Sequence, residues 1–277
     1  MSMNGRVPRL LFIDSGLGGL TVLRATRQAV PEAQVRYIAD DAGFPYGLKT
    51  DETLISRLVA LIEGAVPPFE PDCIVLACNT ASTVALGVLR QTFPFSFVGT
   101  VPAVKPAAAL TKSGLVSVLA TPGTVGREYT RALIGQFGGG ARFTLVGAPQ
   151  LAGLAEAHAS GAEIGNDAIR GEIAPCFTED GDAKTDVVVL GCTHYPLILD
   201  RLDVLAPWPV IWLDPAPAIA RRIANVLAQA GHIVGVGAKH GTGEIQFTSG
   251  RSPSPALLAL LKSHHLSILP FEAAFAA

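Results

Sequence analysis

Aromatic and charged side chains are both scarce in this chain: 6% of its 277 residues are Phe, Trp or Tyr, and 16% are Asp, Glu, Lys or Arg. The formal net charge is −2, the isoelectric point is near 6.3, and no block of like charges occurs. A nucleic-acid or anionic-membrane surface needs concentrated basic charge, so neither partner is expected and a small molecule is. The four cysteines include no Cys-x-x-Cys pair, the usual unit of zinc and thioredoxin-like sites. Long apolar runs are missing too. The run 73–78 is far too short to span a bilayer, and the Ala-rich stretch 98–119 is broken by Pro102, Lys105, Pro106, Lys112 and Gly114. Residues 1–10 lead straight into a strand pattern, with no room for a secretory leader, so a cytoplasmic setting with reduced thiols is expected.

What the chain does have is aliphatic bulk: 49% hydrophobic residues, a mean hydropathy of +0.40, and enough length for two modest α/β domains. Strand and helix patterns alternate, which predicts parallel sheets flanked by helices. Strands are expected at 10–13, 35–38, 73–77 and 97–100, with helices at 19–30, 50–63 and 81–91. A second set has strands at 115–120, 142–146 and 187–190 and helices at 126–137, 166–176 and 196–205. A strand at 210–213, a helix at 215–229 and a strand at 244–249 would complete the first sheet. Pro-rich stretches at 100–106 and 206–217 read as the crossings. The expected domains are therefore 1–99 with 212–277, carrying Cys78, and 100–211, carrying Cys192.

Two segments look like copies of one another. Asp72-Cys-Ile-Val-Leu-Ala-Cys78-Asn-Thr80 matches Asp186-Val-Val-Val-Leu-Gly-Cys192-Thr-His194, at an offset of 192 − 78 = 114 residues. Each is a short β-branched run closed by small polar residues, the form of a buried parallel strand that delivers a side chain to its carboxyl end. Parallel α/β sheets bind ligands there, so two similar halves would face each other across a site between them. A pair of opposed thiols suits removal of a proton from one face of a carbon and its return to the other, the chemistry of racemisation or epimerisation.

Cys78 precedes a helical stripe of Ala81, Val84, Ala85 and Val88, with Asn79 or Thr80 placed to cap it, and a helix N-terminus favours a thiolate. Cys192 reads as the same setting, Pro196 beginning the next helix, with Thr193 and His194 beside it. A buried structural thiol is the alternative for either alone, and is the reading for Cys73. Cys78, Cys192 and His194 could in principle ligate zinc, but the usual ligand pairs are absent and no metal is expected. The turn Ile13-Asp14-Ser15-Gly16-Leu17-Gly18-Gly19-Leu20 fails the dinucleotide fingerprint, because Thr21 stands where its last glycine belongs. Its glycines instead let backbone amides approach a carboxylate, while Asp14 caps a helix, takes a ligand ammonium or assists a thiol.

These motifs resemble those of the glutamate racemases of the aspartate/glutamate racemase superfamily. The resemblance is carried by Phe12-Ile-Asp-Ser-Gly-Leu-Gly-Gly-Leu20, Tyr37-Ile-Ala-Asp40 leading into Pro45-Tyr46-Gly47, Ala77-Cys-Asn-Thr-Ala-Ser82, Ala120-Thr-Pro-Gly-Thr-Val125 and Leu190-Gly-Cys-Thr-His-Tyr-Pro-Leu197. His194 separates the chain from aspartate racemase relatives, which usually have Glu after their Cys-Thr. The resemblance implies a two-domain α/β fold and a cofactor-independent, two-base interconversion of L- and D-glutamate. Cys78 would deprotonate D-glutamate and Cys192 L-glutamate, with Asp14 near the first thiol and His194 near the second. It pairs that histidine with a glutamate, here Glu156 in Pro149-Gln-Leu-Ala-Gly-Leu-Ala-Glu156. Implied substrate contacts are Ser15, Pro45, Tyr46, Gly47, Asn79, Thr80, Thr121, Thr124 and Thr193, besides Asp14, the two cysteines and His194. A homodimer and supply of D-glutamate to peptidoglycan are implied as well. Two other functions remain: a related racemase of aspartate or a hydantoin, and a non-catalytic amino-acid-binding protein, which would need neither cysteine.

Overall fold

The computed structural model describes residues 6–235 and 241–270. The ends of the expected domain ranges, 1–5 and 271–277, and the internal stretch 236–240 lie outside the described residues. In chain order the first half has β1 (Arg9–Asp14), α1 (Leu20–Ala29), β2 (Gln34–Ala39), α2 (Asp51–Phe69), β3 (Cys73–Leu76), α3 (Asn79–Thr92) and β4 (Phe97–Gly99). Then come α4 (Val104–Leu110), β5 (Leu115–Ala120), α5 (Pro122–Val125), α6 (Glu128–Phe137), β6 (Arg142–Gly147), α7 (Leu151–Ala159) and α8 (Asn166–Ile173). A small antiparallel hairpin, β7 (Glu179–Asp180) and β8 (Ala183–Lys184), leads to β9 (Val187–Leu190), α9 (Leu199–Leu205) and β10 (Ile211–Leu213). The chain closes with α10 (Ala216–Gln229), β11 (Gly243–Phe247), α11 (Pro255–Ser263) and β12 (Ser267–Ile268).

Two parallel sheets result, in the orders β12-β11-β2-β1-β3-β4 and β10-β9-β5-β6, as the alternation of elements predicts. Each is buried on both faces. Along β1, Leu10 and Phe12 pack under α1, α10 and α11, while Leu11 and Ile13 pack under α2 and α3. In the second sheet Val188 and Leu190 face α7, α8 and α9, and Val187 and Val189 face α4. Alternate residues thus serve opposite cores, so these strands read as unbroken apolar runs.

Three local expectations need correction, and one helix, α7, is unexpected. The strand expected at 210–213 to complete the first sheet is β10, which pairs parallel with β9 in the second. A strand, helix and strand in immediate succession close as a right-handed crossover onto the neighbouring position, so the return crossing falls after Leu213. Helix α2 runs on through Pro67 and Pro68 to Phe69, because burial of Ala65 and Phe69 against the sheet outweighs the missing amide donors. Helix α7 has no sequence signal at its start. Its first amides, those of Gln150 and Leu151, are instead held by Glu172 Oε2 from α8 at 2.9 and 3.2 Å. Finally, 196–205 is not one helix: a 3₁₀ turn, Tyr195–Ile198, precedes α9.

Candidate active site

The carboxyl ends of β1, β3, β5 and β9 converge on a narrow cleft between the two sheets. The first half lines it with Ser15, residues 44–47, Cys78, Asn79 and Thr80. The second half contributes Thr121, Thr124, Ala152, Cys192 and His194. Both thiols therefore face one small space. Of the residues singled out in the sequence, Asp14, Glu156 and Thr193 do not line the wall and stand behind it. Phe44 and Ala152 do line it and carried no chemical signal; Phe44 packs on the His194 ring with centroids 5.6 Å apart.

Cys78 itself is the N-cap of α3, with extended backbone (φ −130°, ψ 125°), and neither Asn79 nor Thr80 caps the helix as expected. As its first two residues they turn their side chains toward the other half. Thr80 Oγ1 lies 3.2 Å from Thr121 Oγ1 and 3.3 Å from Thr124 Oγ1, which are 3.0 Å apart. Both polar atoms of the Asn79 side chain are buried without a protein partner, leaving a donor and an acceptor for a ligand. The Cys78 thiol lies 3.9 Å from Ser15 Oγ. Burial, reinforced by the charge of Asp14, pushes its pKa up to about 12, against the pull of the Ala81 amide. The expected preference of a helix N-terminus for thiolate is outweighed here by desolvation.

Asp14 ends β1 and is fully buried. Its Oδ2 accepts from Gly16 N (3.2 Å), Gly19 N (3.0 Å) and Tyr37 Oη (3.2 Å), while Oδ1 has no partner. It ties down the start of α1 and keeps one oxygen uncommitted. Burial raises its pKa, with His194 and the Gly19 amide opposing.

The surroundings of Cys192 differ from those of Cys78. No α-helix starts directly after it; the Tyr195 amide bonds back to its carbonyl at 3.2 Å in the 3₁₀ turn that precedes α9. Its neighbour is His194, whose Nδ1 is 3.8 Å from Sγ and whose Nε2 is 2.9 Å from Glu156 Oε2. Burial acts to lower the His194 pKa, yet its bonds to Cys192 and Glu156 and the nearby Asp14 hold it well above the ordinary value. Burial likewise opposes ionisation of Glu156, and His194, the Leu17 amide and Arg251 overcome it, so its pKa is lowered. The two copies in sequence are thus two different electrostatic sites: a thiol beside a buried acid and a thiol beside an imidazole.

Glu156 lies on α7 and also accepts from Leu17 N at 2.8 Å. A β-carbon on Gly16 would fall 2.7 Å from the same oxygen. The glycines of the first turn do admit a carboxylate, and the one they admit is Glu156. The 45–47 loop is held by Tyr46 Oη, which donates to Asp40 Oδ2 at 2.6 Å, an acid also bound by Arg57 and by Thr248 Oγ1 (2.7 Å). Among the described residues no group of three or more His, Cys, Asp or Glu is placed to hold a metal, and no helix is long and apolar enough to cross a membrane.

Residues 20–223 match the Asp/Glu/hydantoin racemase family. The chain is 48% identical to the glutamate racemase of Brucella ovis over 258 residues, 93% of this chain and 92% of that one. It is 54% identical to the glutamate racemase of Brucella anthropi over 219 residues, 79% of each. Its fold superposes on the crystal structure of Escherichia coli glutamate racemase in complex with L-glutamate and the activator UDP-MurNAc-Ala. That match has a TM-score of 0.83 and 36% identity, covering 96% of this chain and 99% of that one.

Proposed function

The chain belongs to the Asp/Glu/hydantoin racemase family and, within it, with the glutamate racemases, which makes it an isomerase; from that premise we propose a cofactor-independent, two-base mechanism in which Cys78 and Cys192 work on opposite faces of the glutamate α-carbon. The observation that carries this reading is the presence of both thiols on one cleft, each at the carboxyl end of a parallel strand from a different sheet.

In the direction from L-glutamate, the Cys192 thiolate takes the α-proton and the bond electrons remain on carbon and its carboxylate. The Cys78 thiol then donates its proton to the other face. The reverse direction exchanges the roles. Each turnover leaves the two sulfurs with opposite protonation, restored by exchange with solvent. Imidazolium at His194, supported by Glu156, places a positive charge 3.8 Å from the Cys192 sulfur. The unpaired Asp14 Oδ1 is available to the substrate ammonium or to a proton near Cys78. Ser15, Asn79, the hydroxyls of Thr80, Thr121 and Thr124, and the Tyr46 and Gly47 amides of the loop that Pro45 begins would bind the two carboxylates, leaving the α-carbon open on both sides. Thr193 serves from behind, its carbonyl accepting from Thr21 Oγ1 at 3.1 Å across the halves.

The acting units in this proposal are 1–99 with 212–277 and 100–211, with Trp212 and Leu213 moved to the second by the pairing of β10. Closure of one on the other would expel water, place thiolate against the α-carbon and aim fixed donors at developing charge. The likeness to glutamate racemases further supports a cytoplasmic homodimer that supplies D-glutamate for peptidoglycan. The test is polarimetry on purified protein with each enantiomer of glutamate and aspartate, without pyridoxal phosphate or ATP and with EDTA present. Racemisation of glutamate at an EDTA-independent rate is expected. Activity lost on chelation and restored by zinc would replace the two-thiol reading by a metal-based one.

A further inference from the structure

Arg251 follows β11 on the first half, and its guanidinium reaches the acid behind Cys192 on the second. Nη2 is 3.1 Å from Glu156 Oε1. Nε is 3.1 Å from Asp41 Oδ2, an ion pair without hydrogen-bond geometry, and the Phe247 ring lies 4.7 Å below the guanidinium carbon. Asp41 is anchored in turn by Ser249 N at 2.9 Å and by the Ser249 hydroxyl. Glu156 is therefore held from opposite sides. Oε1 faces Arg251, while Oε2 is shared between Leu17 N at 2.8 Å and His194 Nε2 at 2.9 Å.

We propose that Arg251 is a positioning residue for the half of the reaction that runs through Cys192. The terminal torsion of a glutamate is broad and nearly two-fold, so one bond to Oε2 does not by itself fix the carboxylate plane. Arg251 on Oε1 and Leu17 on Oε2 fix it together, and the fixed plane holds the imidazole with Nδ1 toward Cys192 Sγ. Hydrogen-bond partners one step behind a metal-ligating histidine are worth about ten- to hundredfold, and the same order is expected for the partner that orients Glu156 behind His194. Among the described residues, the charged and titratable groups that face the His194–Glu156 pair are Cys192 and Asp14 on the imidazole side and Tyr37 and Arg251, the latter backed by Asp41, on the carboxylate side. Arg251 is the cation among them. Without it the Glu156 carboxylate turns, His194 loses its partner, and an imidazolium beside Cys192 is less favoured.

The inference rests on the two-thiol reading, and its test must report the two sides separately. Because the equilibrium constant between enantiomers is unity, any variant changes kcat/KM equally in the two directions of racemisation. A glutamate with chloride on the β-carbon removes that constraint. Thiolate takes the α-proton, the C–Cl bond breaks with its electrons to chloride, and the enamine hydrolyses to the 2-oxo acid and ammonium. Elimination from the L-configured analogue then reads Cys192, and from the D-configured analogue Cys78. In Arg251→Gln, elimination from the L-configured analogue should fall about tenfold or more, with the acid limb of its pH profile moved to higher pH. The D-side rate, an internal control for folding, should stay within about threefold, and Arg251→Lys should recover most of the L-side loss. Equal loss on both sides, or an unchanged L side, overturns the role of Arg251 alone. If Cys192→Ala, assayed in parallel, keeps full L-side elimination, the two-thiol reading falls, and this inference with it.

Discussion

Gly18 of the first half faces His194 of the second so closely that a β-carbon on residue 18 would lie 2.3 Å from Nδ1 and 2.8 Å from Cγ and Cε1. Glycine is required there by space and by nothing in its backbone angles. His194 has no room to retreat, since Nε2 is engaged by Glu156 and the ring is packed by Phe44.

Gly18→Ala should therefore push the two halves apart where Cys192 is presented. Overpacking of this kind costs about 1–3 kcal/mol, and a displacement near 1 Å can cost about a hundredfold in rate. The variant should fold with a lowered melting temperature and lose most racemase activity, as thermal melts and polarimetry would show. Full activity would mean that closure does not depend on this contact.

Cys78→Ala and Cys192→Ala should each nearly abolish racemisation. Cys73 and Cys176 are buried outside the cleft. Their alanine variants should keep most activity and lose only about 1 kcal/mol of stability, the scale of a small core deletion. Chemical denaturation and initial rates separate the two effects. Retention of racemase activity by Cys78→Ala would remove the mechanism.

The proposed two-thiol mechanism requires opposite protonation at Cys78 and Cys192, and so predicts a bell-shaped rate profile whose limbs belong to the pair. In D₂O, D-glutamate newly formed from unlabelled L-glutamate should carry deuterium at the α-carbon, because the second thiol exchanges with solvent before donating. Asp14→Asn and His194→Asn should change kcat and KM separately and unequally in the two directions, while kcat/KM stays matched. Mass spectrometry settles the labelling: product that keeps only protium means a single shielded base carries the proton across.

The His194–Glu156 pair should also mark the stability profile. The folded His194 pKa lies well above 6.5, so the stability it contributes is complete below about that pH and is lost as pH rises through the folded value. Glu156 is lowered from 4.5, so its share is present above that pH and is lost as pH falls through the lowered value. Urea unfolding of the protein and of His194→Asn should thus differ most between these two ordinary pKa values and converge at high pH. A difference independent of pH would mean that the pair is neutral in the folded state.

The alternation of apolar strands and helices was legible because parallel strands buried on both faces carry their own pattern, as in β1, β5 and β9. The elements that escaped it lean on distant partners. Helix α7 starts on a carboxylate from α8, and β10 is a three-residue strand whose sheet is chosen by α9. At the site the two thiols announce themselves by duplication, since chemistry at a strand end requires particular side chains in a short window. Arg251 and Phe44 announce nothing, because their roles exist only through contact with Glu156 and His194 from the other half.

By itself the sequence determined the α/β class, the family, and which two sulfurs stand at strand ends, all matters of local pattern and residue identity. Only the tertiary structure decided that the two sulfurs are unlike. Burial beside Asp14 raises the Cys78 pKa, whereas Cys192 lies beside an imidazole kept basic by Glu156. Desolvation and charge pairing depend on what the other half brings within a few ångströms, and no spacing along one chain encodes that distance.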